Sequence, residues 1–364
     1  MRFESVHIAA VAHDLPPADP GQGFLAAKVG GRVTSLDVEA ELADLYARLR
    51  LHPGRIELMS GIRERRFYAA GTRPSEIATR AGARALAQAR DLGITREHLG
   101  QLVFSAVCRD FLEPATASVV HHALELEHRA PRFDLSNACL GFADGMVLAA
   151  NLIETGVIPA ALVVAGEDGG PLVRETVRHL VEGEASRKDL KRAIASLTIG
   201  SGGAAMVLAH RSLFDMDQAD LPPRLWGANR RAATEHNVLC QGDTNGSAGP
   251  LMETDSEALL VAGVALARET WSDFQASTGW TADDVERVIT HQVGSAHRRA
   301  LLDGLGLETA RDFPTVETLG NIGSVSLPLT YALSIEDEPE RSGARTALLG
   351  IGSGLNCAML AVQR

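Results

Sequence analysis

Cys139 lies in Ser136-Asn137-Ala138-Cys139-Leu140-Gly141, where a polar turn gives way to a helical pattern over residues 139–155. A thiol at a helix N-terminus faces unpaired N–H groups and the positive end of the helix dipole. That setting lowers a thiol's pKa and makes it a better nucleophile. The same position also suits a small buried residue, since free cysteine is among the most buried residue types.

His291 closes an apolar strand pattern, Val288-Ile289-Thr290-His291, and opens a turn. Ligand-binding residues of α/β sheets gather at the carboxyl ends of strands, although a histidine there can equally be structural. Asn321 stands in Leu319-Gly320-Asn321-Ile322-Gly323-Ser324, ahead of an apolar helix. Asparagine between glycines is common turn chemistry, and its amide can also hold a developing oxyanion. Glu113, ahead of Pro114, reads by itself as a loop glutamate.

Gly350-Ile351-Gly352-Ser353-Gly354 is not a nucleotide loop, because an apolar strand rather than a helix follows it. Its backbone N–H groups could serve as oxyanion donors. No G-x-S-x-G elbow is present, which argues against a serine hydrolase. The run His121-His122-Ala123-Leu124-Glu125-Leu126-Glu127-His128 is not H-E-x-x-H and reads as a solvated helix face, with no metal site.

Elements that could position these residues alternate along the chain. Strands are expected at 6–11, 102–106, 160–165, 288–291 and 346–350. Helices are expected at 34–51, opened by a capping box from Thr34 to Asp37, and at 74–92, 139–155, 255–277 and 297–305. Alternation of this kind argues for α/β layers. An internal echo accompanies it: residues 199–209 (IGSGGAAMVLA) resemble residues 351–361 (IGSGLNCAMLA), each a Gly-rich turn feeding an apolar strand. We therefore expect a duplicated fold, with an N-terminal half at 1–209 carrying the cysteine and a C-terminal half at 222–364 carrying the histidine and asparagine. The polar stretch 210–224 joins them.

The chain has 364 residues and a net charge of −11. The acidic balance argues against a general nucleic-acid partner. Four widely spaced cysteines without a C-x-x-C pair argue against a disulfide framework and against a zinc site of usual spacing. Cys108, Cys240 and Cys357 read as structural or lining residues. The N-terminus lacks a signal-peptide pattern and no apolar run is long enough to span a bilayer, so a cytoplasmic location without a membrane anchor is expected.

Taken in order, Cys139 in SNACLGF, His291 in HQVG and Asn321 in LGNIGSVSLP resemble the Cys–His–Asn triad of ketoacyl synthase III-type condensing enzymes of the thiolase superfamily. Residues 61–66 (GIRERR) and the closing GIGSGLNCAMLAV resemble further signatures of that group. Residues 109–118 (RDFLEPATAS), 233–240 (ATEHNVLC) and the ending LLGIGSGLNC are similar to the long-chain acyl-CoA head-to-head condensing thiolases of bacterial olefin and β-lactone biosynthesis. The resemblance spans nearly the whole chain. It implies a five-layered αβαβα fold, a homodimer, and an acyltransferase that joins two fatty acyl-CoAs into a 2-alkyl-3-keto acid. It implies coenzyme A thioesters as substrates, no permanently bound cofactor, and downstream pathway enzymes as possible partners.

The resemblance also implies roles. Cys139 forms the acyl-enzyme, with the backbone N–H groups of Cys139 and Ser353 as the oxyanion hole. His291 and Asn321 stabilise the enolate. Glu113, reaching across to the partner subunit's site, removes the α-proton. A non-decarboxylating condensation needs such a base, whereas a decarboxylating one obtains its carbanion by losing carbon dioxide. The alternative is a decarboxylating β-ketoacyl synthase III that uses malonyl-carrier protein. That group usually has Asn and Arg where this chain has Gly294 and Ala296.

Overall fold

A computed structural model describes residues 1–17, 27–29, 32–34, 38–215, 221–243 and 251–364. Nine strands form its main sheet: β1 Val6–Asp14, β2 Leu99–Phe104, β3 Arg132–Asp134, β4 Ala160–Glu167, β5 Gly202–His210, β6 Arg224–Ala232, β7 Arg287–Thr290, β8 Arg345–Gly352 and β9 Asn356–Gln363. Their spatial order is β7-β8-β9-β6-β1-β5-β4-β2-β3. β4 and β5 are almost wholly apolar and buried on both faces, as central strands covered by helices must be.

The order repeats. Reading β2-β4-β5-β1, the pairings are parallel, antiparallel and antiparallel. Reading β7-β8-β9-β6 gives the same sequence of pairings. The two sets meet where β1 and β6 lie side by side, with His7 paired to Arg224 and the Ile8 N–H bonded to the Pro223 carbonyl at 2.7 Å.

Six helices matter for the site: α1 Pro74–Asp91, α2 Thr116–Ala123, α3 Gly141–Glu154, α4 Ser256–Thr278, α5 Ser295–Leu305 and α6 Ser326–Asp337. α1 packs on β1, β4 and β5, and α2 on β2 and β3. On the other side α4 covers β6 and β9, with α5 laid against it. α3 and α6 lie between the two sets of strands, where α3 meets both β4 and β9 and α6 meets both β1 and β8. The layers therefore run helix, strand, helix, strand, helix. Ten of the fourteen residues of α3 are buried, which fits a helix enclosed on most sides.

Most expected elements are present with shifted ends, and three expectations need correction. The helix expected at 34–51 is two short helices, Val38–Glu41 and Ala43–Leu49, and Thr34 ends a strand, Arg32–Thr34. Asp37, the other end of the expected capping box, lies outside the described residues. The His-rich run is not one solvated helix face: α2 stops at Ala123, and His121 is buried with Nε2 against the Glu127 carbonyl at 3.2 Å. Gly350 and Gly352 lie within β8 rather than in a turn, and the turn itself is Ser353–Leu355.

Candidate active site

Cys139 stands two residues before α3, not in its first turn as the sequence pattern suggests. Ala138 has φ +47°, a left-handed conformation that a non-glycine residue adopts only when its surroundings enforce it. Leu140 N–H and Gly141 N–H bond back to the Asn137 and Ala138 carbonyls at 3.1 and 3.2 Å, which closes the turn. Within it, the backbone N–H groups of Ser353 and of Cys139 itself favour the thiolate form of the Cys139 sulfur.

The expected low thiol pKa is not found. Burial, followed by the neighbouring Cys240 and Glu167, pushes the Cys139 thiol up to about 12, and the two N–H groups oppose this only in part. Desolvation outweighs the helix dipole because the sulfur precedes the helix and is surrounded by protein. The thiol is therefore protonated at neutral pH and must lose its proton as it attacks.

Leu140 keys this turn into the opposite half of the sheet. A Cβ built on Gly350 would lie 2.3 Å from Leu140 Cδ2, and one on Gly352 would lie 2.9 Å from Leu140 Cγ. The two glycines make room for that side chain, and this brings the β8–β9 turn, with Ser353, to the cysteine.

His291 follows β7, whose residue Thr290 pairs with Leu349 of β8, and the His291 N–H bonds the Leu349 carbonyl at 2.8 Å. It thus sits beside the stretch of β8 that receives Leu140. Its ring is buried, and neither Nδ1 nor Nε2 has a hydrogen-bond partner among the described residues. Burial, with His297 adding to it, pushes its pKa down to about 4, so the imidazole is neutral. A neutral ring offers one donor and one acceptor. Asp312 supports the strand end, accepting from the N–H and O–H of Thr290 at 3.1 Å while paired with Arg298.

Gln292 links the histidine to the asparagine segment. Its Nε2 donates to the Phe313 carbonyl at 2.6 Å, and its Oε1 accepts from Thr315 and Val316 N–H groups at 3.0 Å. Val316 begins the short helix Val316–Leu319 that leads into Gly320-Asn321. Gly320 and Gly323 have φ of +70° and +53°, conformations that shape the turn around Asn321. The Asn321 backbone is held by Thr198 and Gly200, and its Oδ1 accepts from Gly323 N–H at 3.0 Å. With its oxygen committed, the amide nitrogen is the group left to donate.

Glu167, at the end of β4, ties these parts together. It is buried and accepts from Val107 N–H, Cys108 N–H, Ser324 N–H and the Ser324 hydroxyl at 2.8–3.2 Å. The carboxylate whose charge bears on the Cys139 sulfur is this one, not Glu113. Glu113 is exposed on the loop between β2 and α2. On the same loop Val107, Phe111 and Leu112 are 51%, 37% and 94% exposed.

The structure thus places Cys139, Ser353, His291 and Asn321 on adjoining segments and leaves Glu113 at the surface of its own chain. Sequence reasoning missed Glu167, Asn137, Asp144 and Asn356 as site-forming residues. Asn137 and Asn356 lie two residues before Cys139 and three after Ser353, and this proximity was the available signal. Cys240, expected as a lining residue, accepts from the Ser353 hydroxyl at 3.2 Å. Among the described residues no group of three His, Cys, Asp or Glu side chains could hold a metal ion. No helix there is long and apolar enough to cross a membrane.

The fold is the thiolase-like α/β fold of condensing acyltransferases. Residues 133–219 match the model of 3-oxoacyl-[acyl-carrier-protein] synthase III, and residues 275–364 match its C-terminal counterpart. An acyl-CoA:acyl-CoA alkyltransferase of Shewanella oneidensis is 35% identical, with all of both chains covered. One of Xanthomonas campestris is 34% identical, covering 100% of this chain and 99% of its own. The crystal structure of Xanthomonas campestris OleA, a cysteine-to-serine variant with bound lauric acid and lauroyl-CoA, superimposes with a TM-score of 0.88 at 33% identity over all of both chains. A β-ketoacyl-carrier-protein synthase III of Symbiobacterium thermophilum is more distant, at 28% over 85% of this chain and 88% of its own. This chain belongs to the acyl-CoA:acyl-CoA alkyltransferase family of ketoacyl synthase III-type enzymes.

Proposed function

We propose that this enzyme condenses two long-chain fatty acyl-CoAs head to head, without decarboxylation, through an acyl group carried on Cys139. The observation that carries this reading is the docking of the Cys139 turn on the Ser353 turn, through Leu140 seated against Gly350 and Gly352 and through the Asn137–Asn356 hydrogen bond. Full-length similarity to the alkyltransferases, at higher identity than to the carrier-protein-dependent synthase, favours acyl-CoA over malonyl-carrier protein.

In the first half-reaction the Cys139 sulfur attacks the thioester carbonyl of one acyl-CoA. The thiol proton passes to the departing coenzyme A thiolate, for which the neutral His291 ring is a suitable relay. The two N–H groups at the sulfur stabilise the oxyanion. In the second half-reaction Glu113 takes the α-proton of the second acyl-CoA. His291 and the Asn321 amide donate to its thioester oxygen as enolate charge develops. The α-carbon then attacks the acyl-enzyme carbonyl, a C–C bond forms, and the bond to the Cys139 sulfur breaks. Hydrolysis of the remaining thioester gives coenzyme A and a 2-alkyl-3-keto acid, the material for downstream enzymes of an olefin or β-lactone route.

Glu113 acts from the partner subunit of a homodimer in this reading. What supports it is the exposure of Glu113 together with Val107, Phe111 and Leu112 on one loop, an apolar surface of the kind that protein contacts cover. We also take the chain as two duplicated halves, 1–209 and 222–364, a division supported by the repeated strand pairing. Mass spectrometry of products from lauroyl-CoA alone tests the function. A keto acid, or the ketone it forms by losing carbon dioxide, is expected without any malonyl compound. Product formation only when malonyl-carrier protein is added would favour the decarboxylating synthase.

A further inference from the structure

One polar chain, partly buried and ending at the exposed Arg230, joins the nucleophile turn to the Ser353 turn. Arg230 donates to Asp144 Oδ1 at 2.5 Å. Asn137 Nδ2 donates to Asp144 Oδ2 at 2.5 Å and to Asn356 Oδ1 at 3.4 Å. Asn356 Nδ2 donates to the Ser353 carbonyl at 2.7 Å. Asp144 lies in the first turn of α3, Asn356 opens β9 and Arg230 lies in β6, so the chain spans both sets of strands.

The polarity of this chain is dictated from one end. An ionised carboxylate only accepts, so Asp144 obliges Asn137 to present its NH2. The second N–H of that group meets Asn356, which must then present its oxygen. The Asn356 nitrogen is thereby turned to the Ser353 carbonyl. Each amide has one orientation that satisfies its neighbours, and the Arg230 ion pair fixes the charge that selects it.

We propose that Asn137 and Asn356, oriented by Asp144 and Arg230, are positioning residues that set the separation of the two N–H groups flanking the Cys139 sulfur. The inference rests on the acyl-enzyme reading above. It adds the device that holds the two oxyanion donors, which come from sequence positions over two hundred residues apart, in one geometry. Misplacing a donor weakens the transition state more than the bound ground state, so the loss falls on the acyl-transfer step.

Two reactions of the same sulfur separate this role from a general structural one. Acylation by lauroyl-CoA passes through an oxyanion, whereas alkylation by iodoacetamide does not. In Asn356→Ala the rate of acyl-enzyme formation should fall roughly 10- to 100-fold, while alkylation of Cys139, which feels the Ser353 N–H only through the thiolate, should fall by a factor several times smaller. Asn356→Asp, nearly isosteric and still able to accept from Asn137, lacks the N–H for the Ser353 carbonyl and should show the same selective loss. Asn137→Ala combined with Asn356→Ala should lose less than the product of the single effects, because both break one chain. A ratio of acylation to alkylation that stays at the wild-type value in both single variants overturns the proposal, whether both rates fall or neither does. Failure of the underlying reading would look different: the wild-type protein would then form no acyl group at Cys139 at all.

Discussion

Leu140 fills the space that side chains at Gly350 and Gly352 would occupy, with Cδ2 only 2.3 Å from where a Gly350 Cβ would stand. This contact, rather than any need for unusual backbone angles at those two glycines, explains why the closing Gly-rich run reads Gly-Ile-Gly. Gly350→Ala should destabilise the fold by about 1–3 kcal/mol through overpacking and push the nucleophile turn off the Ser353 turn. Replacing Leu140 by Ala in the same chain should recover part of that stability, because the clash is relieved. Urea denaturation of the single and double variants checks this, and strictly additive losses would rule the contact out as the cause.

Chemical modification reads the Cys139 environment directly. Its thiol is pushed up to about 12, and only the thiolate reacts with alkylating reagents. Alkylation of Cys139 by iodoacetamide, followed by mass spectrometry of its peptide, should accelerate by close to tenfold per pH unit from pH 7 to 10. A plateau reached by pH 8 would show a thiol activated in the free enzyme.

His291 imposes a signed pH dependence on stability. Its folded pKa is about 4 and its unfolded value is near 6.5, so the unfolded chain binds a proton first. The stability linked to the neutral ring is fully present above pH 6.5 and is lost as pH falls towards 4, amounting to about 2 kcal/mol at pH 5. His291→Gln removes this titration. The loss of unfolding free energy between pH 7.5 and pH 5 should therefore be smaller in the variant by about that amount. Equal losses in both proteins would contradict the buried neutral ring.

Glu113→Gln should separate the two half-reactions. Acyl transfer to Cys139 needs no base at the α-carbon, so the burst of coenzyme A release should persist. Condensed product should fall by roughly 100-fold or more, as expected for loss of a general base. Loss of the burst and the product together would assign Glu113 to the first step instead.

The motifs around Cys139, His291 and Asn321 were legible because each is a short turn at an element's end, where residue type and pattern coincide. The repeated Gly-rich segments also pointed to the strand pairing that recurs in β2-β4-β5-β1 and β7-β8-β9-β6. What could not be read was long-range. Nothing local in Glu167 distinguishes a strand-end glutamate from one that gathers four donors from two distant loops. The thiol pKa was misjudged because sequence shows the nearby helix and hides the burial. The helix expected at 34–51 failed for a different reason: its apolar spacing is helical, yet the chain breaks at Leu42 and packs as two pieces against helix Gly170–Glu182.

The central claim is that Cys139 carries the acyl group, and trapping that group tests it most directly. Enzyme mixed with lauroyl-CoA, quenched in acid and digested should yield the Cys139 peptide heavier by one lauroyl group, and Cys139→Ala should yield none. A lauroyl adduct on another residue of the wild-type protein, or condensed product made at the normal rate by Cys139→Ala, would contradict the account.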